Sequence, residues 1–413
     1  VVEVSVEASR KLCPADLGKA IEAAINRPQF QRSRWGILIQ TLNSGQTLYS
    51  HDAERYFVPA SNVKLLTTAA ALRQLGSQFR IRTSVYGTGS PPNLTALRVV
   101  GRGDPTMTAA ELKDLARQLK RRGVRRISRL IVEDGYFPKA AIAASWEWED
   151  IYANYGVPAS SLILNENALT LTLLPQQLGQ PVQLQWSDPL AARQWQVENQ
   201  ATTAPAKTPN SIEIQGVLGQ PILKIKGELA IDAEPDIWGL AVPDPANYFL
   251  ESFRRILLAE GIIVSEERGS AGGDKGDGDD AEELAAVESP PLAVLLEKTN
   301  QESDNLFAEV LVQSLKSEST RERGLQNLTG SPLQNPPPTI QNKTGLDLVK
   351  QRLTELGVEP SSYILADGSG LSRQNSVSPG ALVQTLKLMA KSPEGEVYRG
   401  SLAVAGGSGT LQE

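Results

Sequence analysis

The chain has 413 residues, 40% of them hydrophobic and 21% charged; that is too long for one core and implies two or three domains of ordinary globular composition. A net charge of −6 and a pI near 5.3 give no electrostatic basis for binding nucleic acid, and no apolar run reaches the length of a membrane span, which leaves at most a peripheral membrane association. One cysteine, Cys13, excludes an intrachain disulfide, and one histidine, His51, leaves a Ser-His-Asp triad, a Cys-His pair or a zinc site without enough parts, so neither metal nor cofactor is expected. Cys13 reads as a small buried side chain and His51 as a surface turn residue. Val1 is not a natural start, so the chain reads as processed or trimmed, with any signal peptide outside the sequence.

In chain order, residues 16–26 read as a short amphipathic helix before Pro28. Residues 35–42 and 46–50 flank Asn43-Ser44-Gly45, a hairpin signature. Pro59-Ala60-Ser61-Asn62-Val63-Lys64 then leads into residues 65–72, apolar or small on nearly every face, as a buried helix is. Ser61 stands at an N-cap or first-turn position, and Lys64 lies one turn on, where its amine can meet the hydroxyl. A lysine inside a core is costly as a cation, so its pKa falls and it becomes a usable base for a serine nucleophile. On these residues alone, a capped helix with a snorkelling lysine is the other reading.

After Gly76 the texture changes. Residues 79–86, 97–100 and 129–134 read as strands around a helix over 108–122, a β-β-α-β unit, with Gly101 and Gly103 as turn residues. Trp146 to Asp150, with Tyr152 and Tyr155, is either a packed aromatic corner or a sugar or peptide platform. From 169 to 227 alternating segments indicate a small all-β module. Residues 248–260 read as an amphipathic helix and 265–283 as a solvated loop. Helices follow after Pro290 and from the stretch 300–305, then a polar, proline-rich loop over 317–340, a helix over 346–356, a strand over 363–366 and a helix from Pro379 to Ala390.

Ser61-x-x-Lys64 and Ser303-Asp304-Asn305 change the weight of these readings, because S-x-x-K followed by S-D-N is the pairing found in serine enzymes that recognise penicillin. A second serine can relay a proton between the lysine and a leaving amine. An Asn carboxamide can orient Lys64 with its oxygen and offer a donor to the substrate backbone. Ser303 lies 242 residues beyond Ser61, so the intervening chain must hold its own domains.

With Gly103-Asp104-Pro105-Thr106, Trp146 to Asp150, Asn165-Glu166-Asn167 and Asp367 to Arg373, the chain from about Trp35 onward resembles the D-alanyl-D-alanine carboxypeptidase/endopeptidases of the low-molecular-mass class C penicillin-binding proteins. The resemblance implies a multidomain α+β fold, a β-lactamase-like transpeptidase domain interrupted by two inserted domains, the inner one mostly β. The expected parts are 1–82 with 243–413 for the transpeptidase-like domain, 83–165 with about 228–242 for an inserted α/β domain, and 166–227 for an inner β-rich domain. It implies an extracytoplasmic (periplasmic) serine D-Ala-D-Ala carboxypeptidase, possibly a DD-endopeptidase, that acts on peptidoglycan stem peptides through an acyl-enzyme on Ser61 and is acylated there by β-lactams. Lys64 would be the base and Ser303 with Asn305 the second element. Asp150 and Tyr155 would form a side-chain pocket, Asp150 for an ammonium group of diaminopimelate, and Arg373 would bind its carboxylate. The alternative is a non-catalytic peptidoglycan-binding relative. Lys343-Thr344-Gly345 spells the family's third motif, but it precedes Asp367 and leads into a helix, so it is not expected to serve. The family's own K-T-G strand would follow Gly406 to Thr410, where the sequence stops at Glu413, so the sequence reads either as a fragment or as a molecule incomplete as a catalyst.

Overall fold

A computed structural model describes residues 13–137, 142–269, 282–328 and 343–412. Two separate hydrophobic cores organise them. The first is built from the middle of the chain. There, Ile263–Gly269, Arg126–Glu133, Asn93–Val100, Arg82–Ser90 and Glu282–Glu288 form a five-stranded sheet in that spatial order. Arg126–Glu133 runs parallel to both its neighbours, and the remaining pairs are antiparallel. Helices Ala109–Arg121 and Pro245–Ala259 pack on it. Thr108 starts the first of these with a capping box, its side chain accepting from the helix and Glu111 reaching back to its backbone N–H. Leu112, Leu115, Ala116 and Leu119 recur at helical spacing on the buried face.

The inner β module comprises three small sheets, each completed by a strand from elsewhere in the module. Asp236–Ala241 pairs with Ala168–Leu174, and Glu228–Ala230 with Thr202–Ala204. Its apolar side chains, among them Leu171, Leu173, Leu223 and Ile225, belong to the same core as the five-stranded sheet.

The second core surrounds helix Val63–Leu75. Its middle is Thr67, Thr68, Ala69, Ala70 and Ala71, all buried, because small side chains let other helices approach closely. Helices Leu292–Gln301, Asn305–Leu328, Gly345–Leu356 and Pro379–Ala390 surround it. Leu66 and Leu72 are fully buried there, each contributing about 2 kcal/mol by removal from water. The chain that supplies this core is interrupted between Ile81 and Leu292, apart from Phe137, Val157, Ala159, Ile163 and Ala241.

These pairings move the expected boundaries. Helix Pro245–Ala259 and the strands Ile263–Gly269 and Glu282–Glu288 belong to the inserted sheet, so the return expected at 243 falls near Pro290 instead. Residues 228–241, expected with the α/β domain, complete sheets of the β module. The loop expected over 265–283 is strand at both ends; its centre, 270–281, lies outside the described residues. The loop expected from 317 begins as helix, since Asn305–Leu328 continues through it, and 329–342 lies outside the described residues. Cys13 is exposed rather than buried, because it precedes the first helix and joins neither core. His51 ends the strand Thr47–His51 and is half-buried. Among the described residues no helix is long and apolar enough to cross a membrane.

Candidate active site

Ser61 sits in the single 3-10 turn Ala60–Asn62, immediately before helix Val63–Leu75. It is exposed and precedes the helix, whose N-cap position falls to Asn62. The turn is held from outside by the loop Asp367–Arg373. Gly370, at φ +87°, passes so close that an added Cβ would lie 1.9 Å from the Ala60 carbonyl oxygen. Only a residue without a side chain fits that contact and that backbone conformation.

Lys64 is 1% exposed. Its Nζ lies 3.1 Å from Ser61 Oγ, 2.6 Å from Asn305 Oδ1 and 2.8 Å from the Ser369 carbonyl oxygen. Burial pushes the amine down to about 8, against Asp304, Glu309 and Asp367, whose charges raise it. The three partners define its chemistry. Two are pure acceptors, so a neutral amine must turn its two N–H bonds to Asn305 and Ser369. Its lone pair is then left for the Ser61 hydroxyl, the geometry a proton acceptor needs.

Ser303 lies in the turn between helices Leu292–Gln301 and Asn305–Leu328, half-buried, with φ +61°. Asp304 accepts from the Phe307 N–H and so caps the second helix. Asn305 binds Lys64 through its oxygen, while its Nδ2 donates to the Tyr155 carbonyl at 2.8 Å. One amide N–H expected for substrate backbone is therefore engaged within the protein. The same bond ties the base to the segment carrying Asp150 and Tyr155.

Asp150 opens the turn Asp150–Tyr152, and its carboxylate accepts from the Tyr155 hydroxyl, whose pKa is raised by burial and then by that carboxylate. Tyr155 is half exposed. The two tryptophans divide between the two sequence readings. Trp146 is packed and donates its indole N–H to Asp367 Oδ2 at 2.9 Å, whereas Trp148 is 47% exposed. Arg373 is exposed and pairs with Glu147, Nε to Oε1 at 3.2 Å. Such a solvated pair is worth under about 1 kcal/mol, so the guanidinium is readily exchanged to another carboxylate. Lys343-Thr344-Gly345 is a helix start: Thr344 forms a capping box with Asp347.

Sequence reasoning missed the loop's use of its backbone. Nothing in Asp367 to Arg373 announces that the Ser369 carbonyl is a partner of Lys64. Asp367 shapes that loop, accepting from the Gly370 and Ser372 N–H groups and from Asn375 Nδ2. Glu309 was also missed. A signal existed: it lies one turn after Asn305 on a helix otherwise lined by Leu306, Phe307, Val310 and Leu311.

The sequence pattern of the D-Ala-D-Ala carboxypeptidase 3 (S13) family matches residues 17–413. The chain belongs to that family. This carboxypeptidase is 30% identical over 404 residues to a D-alanyl-D-alanine carboxypeptidase of Actinomadura sp. (strain R39), covering 95% of this chain and 71% of that protein. It is 27% identical over 406 residues to a penicillin-sensitive carboxypeptidase A of Dictyostelium discoideum, covering 92% and 74%. Its fold matches a crystal structure of penicillin binding protein 4 from Haemophilus influenzae complexed with a β-lactam, with TM-score 0.71, 26% identity and coverage of 91% and 78%. The expected α+β multidomain fold and serine carboxypeptidase class therefore hold for this carboxypeptidase, and a non-catalytic relative is not favoured.

Proposed function

We propose that this carboxypeptidase releases the terminal D-alanine of peptidoglycan stem peptides through an acyl-enzyme on Ser61. The observation that carries this reading is the buried Lys64 amine held among Ser61 Oγ, Asn305 Oδ1 and the Ser369 carbonyl. Lys64 takes the Ser61 proton as Oγ attacks the carbonyl of the scissile D-Ala-D-Ala bond. The C–N bond breaks, the leaving amine gains a proton through Ser303, and D-alanine departs. Water then attacks the ester, restoring Ser61 and releasing the shortened peptide. Asp150 and Tyr155 receive the stem-peptide side chain, Asp150 matching an ammonium group, and Arg373 exchanges Glu147 for the carboxylate of diaminopimelate.

A β-lactam presents a strained amide to the same hydroxyl, so penicillin acylates Ser61. Because the substrate lies outside the cytoplasmic membrane, the enzyme works there. A D-centred cross-link offers an amide of the same kind, a D-alanine carbonyl joined to the amine of another D-centre, so endopeptidase action is compatible with the site. Incubation with fluorescent penicillin should label the protein covalently on Ser61, and Ser61→Ala should abolish labelling. Labelling that survives the substitution removes Ser61 from its role.

A further inference from the structure

Lys64 has three acceptors, and the Ser369 carbonyl is the one supplied by a loop. That loop is fixed by an acidic side chain with no part in the chemistry above. Glu309 accepts from the Gly368 N–H at 2.9 Å and the Ser369 N–H at 2.8 Å, both on Oε1. Ser369 thus accepts from Lys64 through its carbonyl and donates to Glu309 through its N–H, so two successive peptide groups are held between the two side chains. Glu309 is also one turn from Asn305 on the same helix, so one face of one helix holds two of the lysine's acceptors, one directly and one through the loop.

We propose that Glu309 is a positioning residue for acylation: its carboxylate holds the Gly368–Ser369 peptide so that the Ser369 carbonyl fixes the Lys64 amine with its lone pair toward Ser61. The inference rests on the roles proposed for Ser61 and Lys64. Its second effect is electrostatic. When Lys64 takes the serine proton it becomes an ammonium ion in a buried site, and a nearby carboxylate stabilises that charge. The acidic groups that face Lys64 are Asp304 and Glu309 from the Asn305 helix and Asp367 from the loop. Glu309 is itself faced by Asp367. Burial, helped by Asp367, raises Glu309 to about 7, so it is ionised in the pH range where Lys64 loses its proton.

The sign for stability separates this role from a structural one. A carboxyl whose folded-state pKa is raised destabilises the fold as pH rises through its ordinary value toward 7, and fully above that. Glu309→Gln keeps an acceptor for the two N–H groups and removes the buried charge. At pH 8 its melting temperature should equal or exceed that of the natural enzyme.

The test is the second-order rate constant for labelling by fluorescent penicillin from pH 6 to 9.5, with the melting temperature at each pH. E309Q should label roughly tenfold more slowly at the plateau, as expected for losing a charge-assisted hydrogen bond. Its ascending limb should lie at lower pH, because one of the charges that raise Lys64 is gone. An unchanged plateau and limb overturn the proposal, as does a loss that only tracks a fall in melting temperature. Should E309Q not fold, the ε-carbon resonance of Lys64 in the Ser61→Ala protein keeps the test open. It should titrate in two steps, one belonging to Glu309, and a single step overturns the idea. If Ser61→Ala still labels, the proposed function fails; if it is silent and E309Q behaves as the natural enzyme, only Glu309's role fails.

Discussion

The ionisation of Lys64 sets a quantitative expectation for how acylation depends on pH. Burial lowers the amine from 10.5 to about 8, and the side chain is 1% exposed, so solvent screens little of that effect. With a pKa of about 8, roughly a tenth of the molecules carry a free amine at pH 7 and about nine tenths at pH 9. The second-order rate constant for acylation by fluorescent penicillin should therefore rise about tenfold between those values and level off above. The same difference costs the fold roughly 3 kcal/mol. Because the folded-state value is the lower one, that cost is fully present below pH 8 and is relieved as pH rises from about 8 toward 10.5. Stopped-flow labelling across pH 6 to 9.5 measures the rate. A flat profile, or a limb that ends below pH 6, would refute the assignment of Lys64 as the base.

Five further substitutions probe the rest of the site and the helix start at residues 343–345. Asn305→Ala removes the 2.6 Å bond to Lys64 and the link to Tyr155, and should slow acylation roughly ten- to a hundredfold, measured with the same probe. Gly370→Ala places a Cβ 1.9 Å from the Ala60 carbonyl at φ +87°; it should cost about 1–3 kcal/mol in denaturant titrations and displace the Ser61 turn, with acylation falling in parallel. Arg373→Ala should raise KM about tenfold for a stem peptide bearing a diaminopimelate carboxylate while leaving acylation by penicillin within about twofold, whereas Glu147→Ala, which frees the guanidinium, should lower that KM a few-fold. Thr344→Ala deletes a helix cap and should cost about 1 kcal/mol in melting experiments with no change in acylation; lost acylation in a folded variant would return residues 343–345 to the chemistry.

What was legible in the sequence was what side chains announce. The run of small and apolar residues after Lys64 forecast a buried helix, and the short spacings Ser61 to Lys64 and Ser303 to Asn305 marked residues whose partners lie far away in the chain. Hairpin, amphipathic and proline signals placed Thr47–His51, Ala109–Arg121 and Pro379–Ala390 to within a few residues. The boundary of the inserted unit was not legible, because residues 265–269 and 282–283 carry the polar composition of a loop yet gain strand geometry by pairing with Arg126–Glu133 and Arg82–Ser90. The Ser369 carbonyl could not be foreseen at all, since a main-chain oxygen has no letter in the sequence. Glu309 could have been, as an acid on the apolar face of the Asn305 helix.

The divided second core bears on how the chain reaches its final shape during synthesis. Helix Val63–Leu75 is made early, but the helices that cover it begin only at Leu292. The sheet and β module between them share a contiguous core and can close as soon as Glu288 is available. The ribosome or an export channel thus releases a helix with no lasting partner, and Lys64 spends that interval solvated and charged. Docking of Leu292 onward would strip the water from that amine and loosen its hold on the proton, so the machinery for acylation matures late in folding, when attack on a passing ester or lactam first becomes possible.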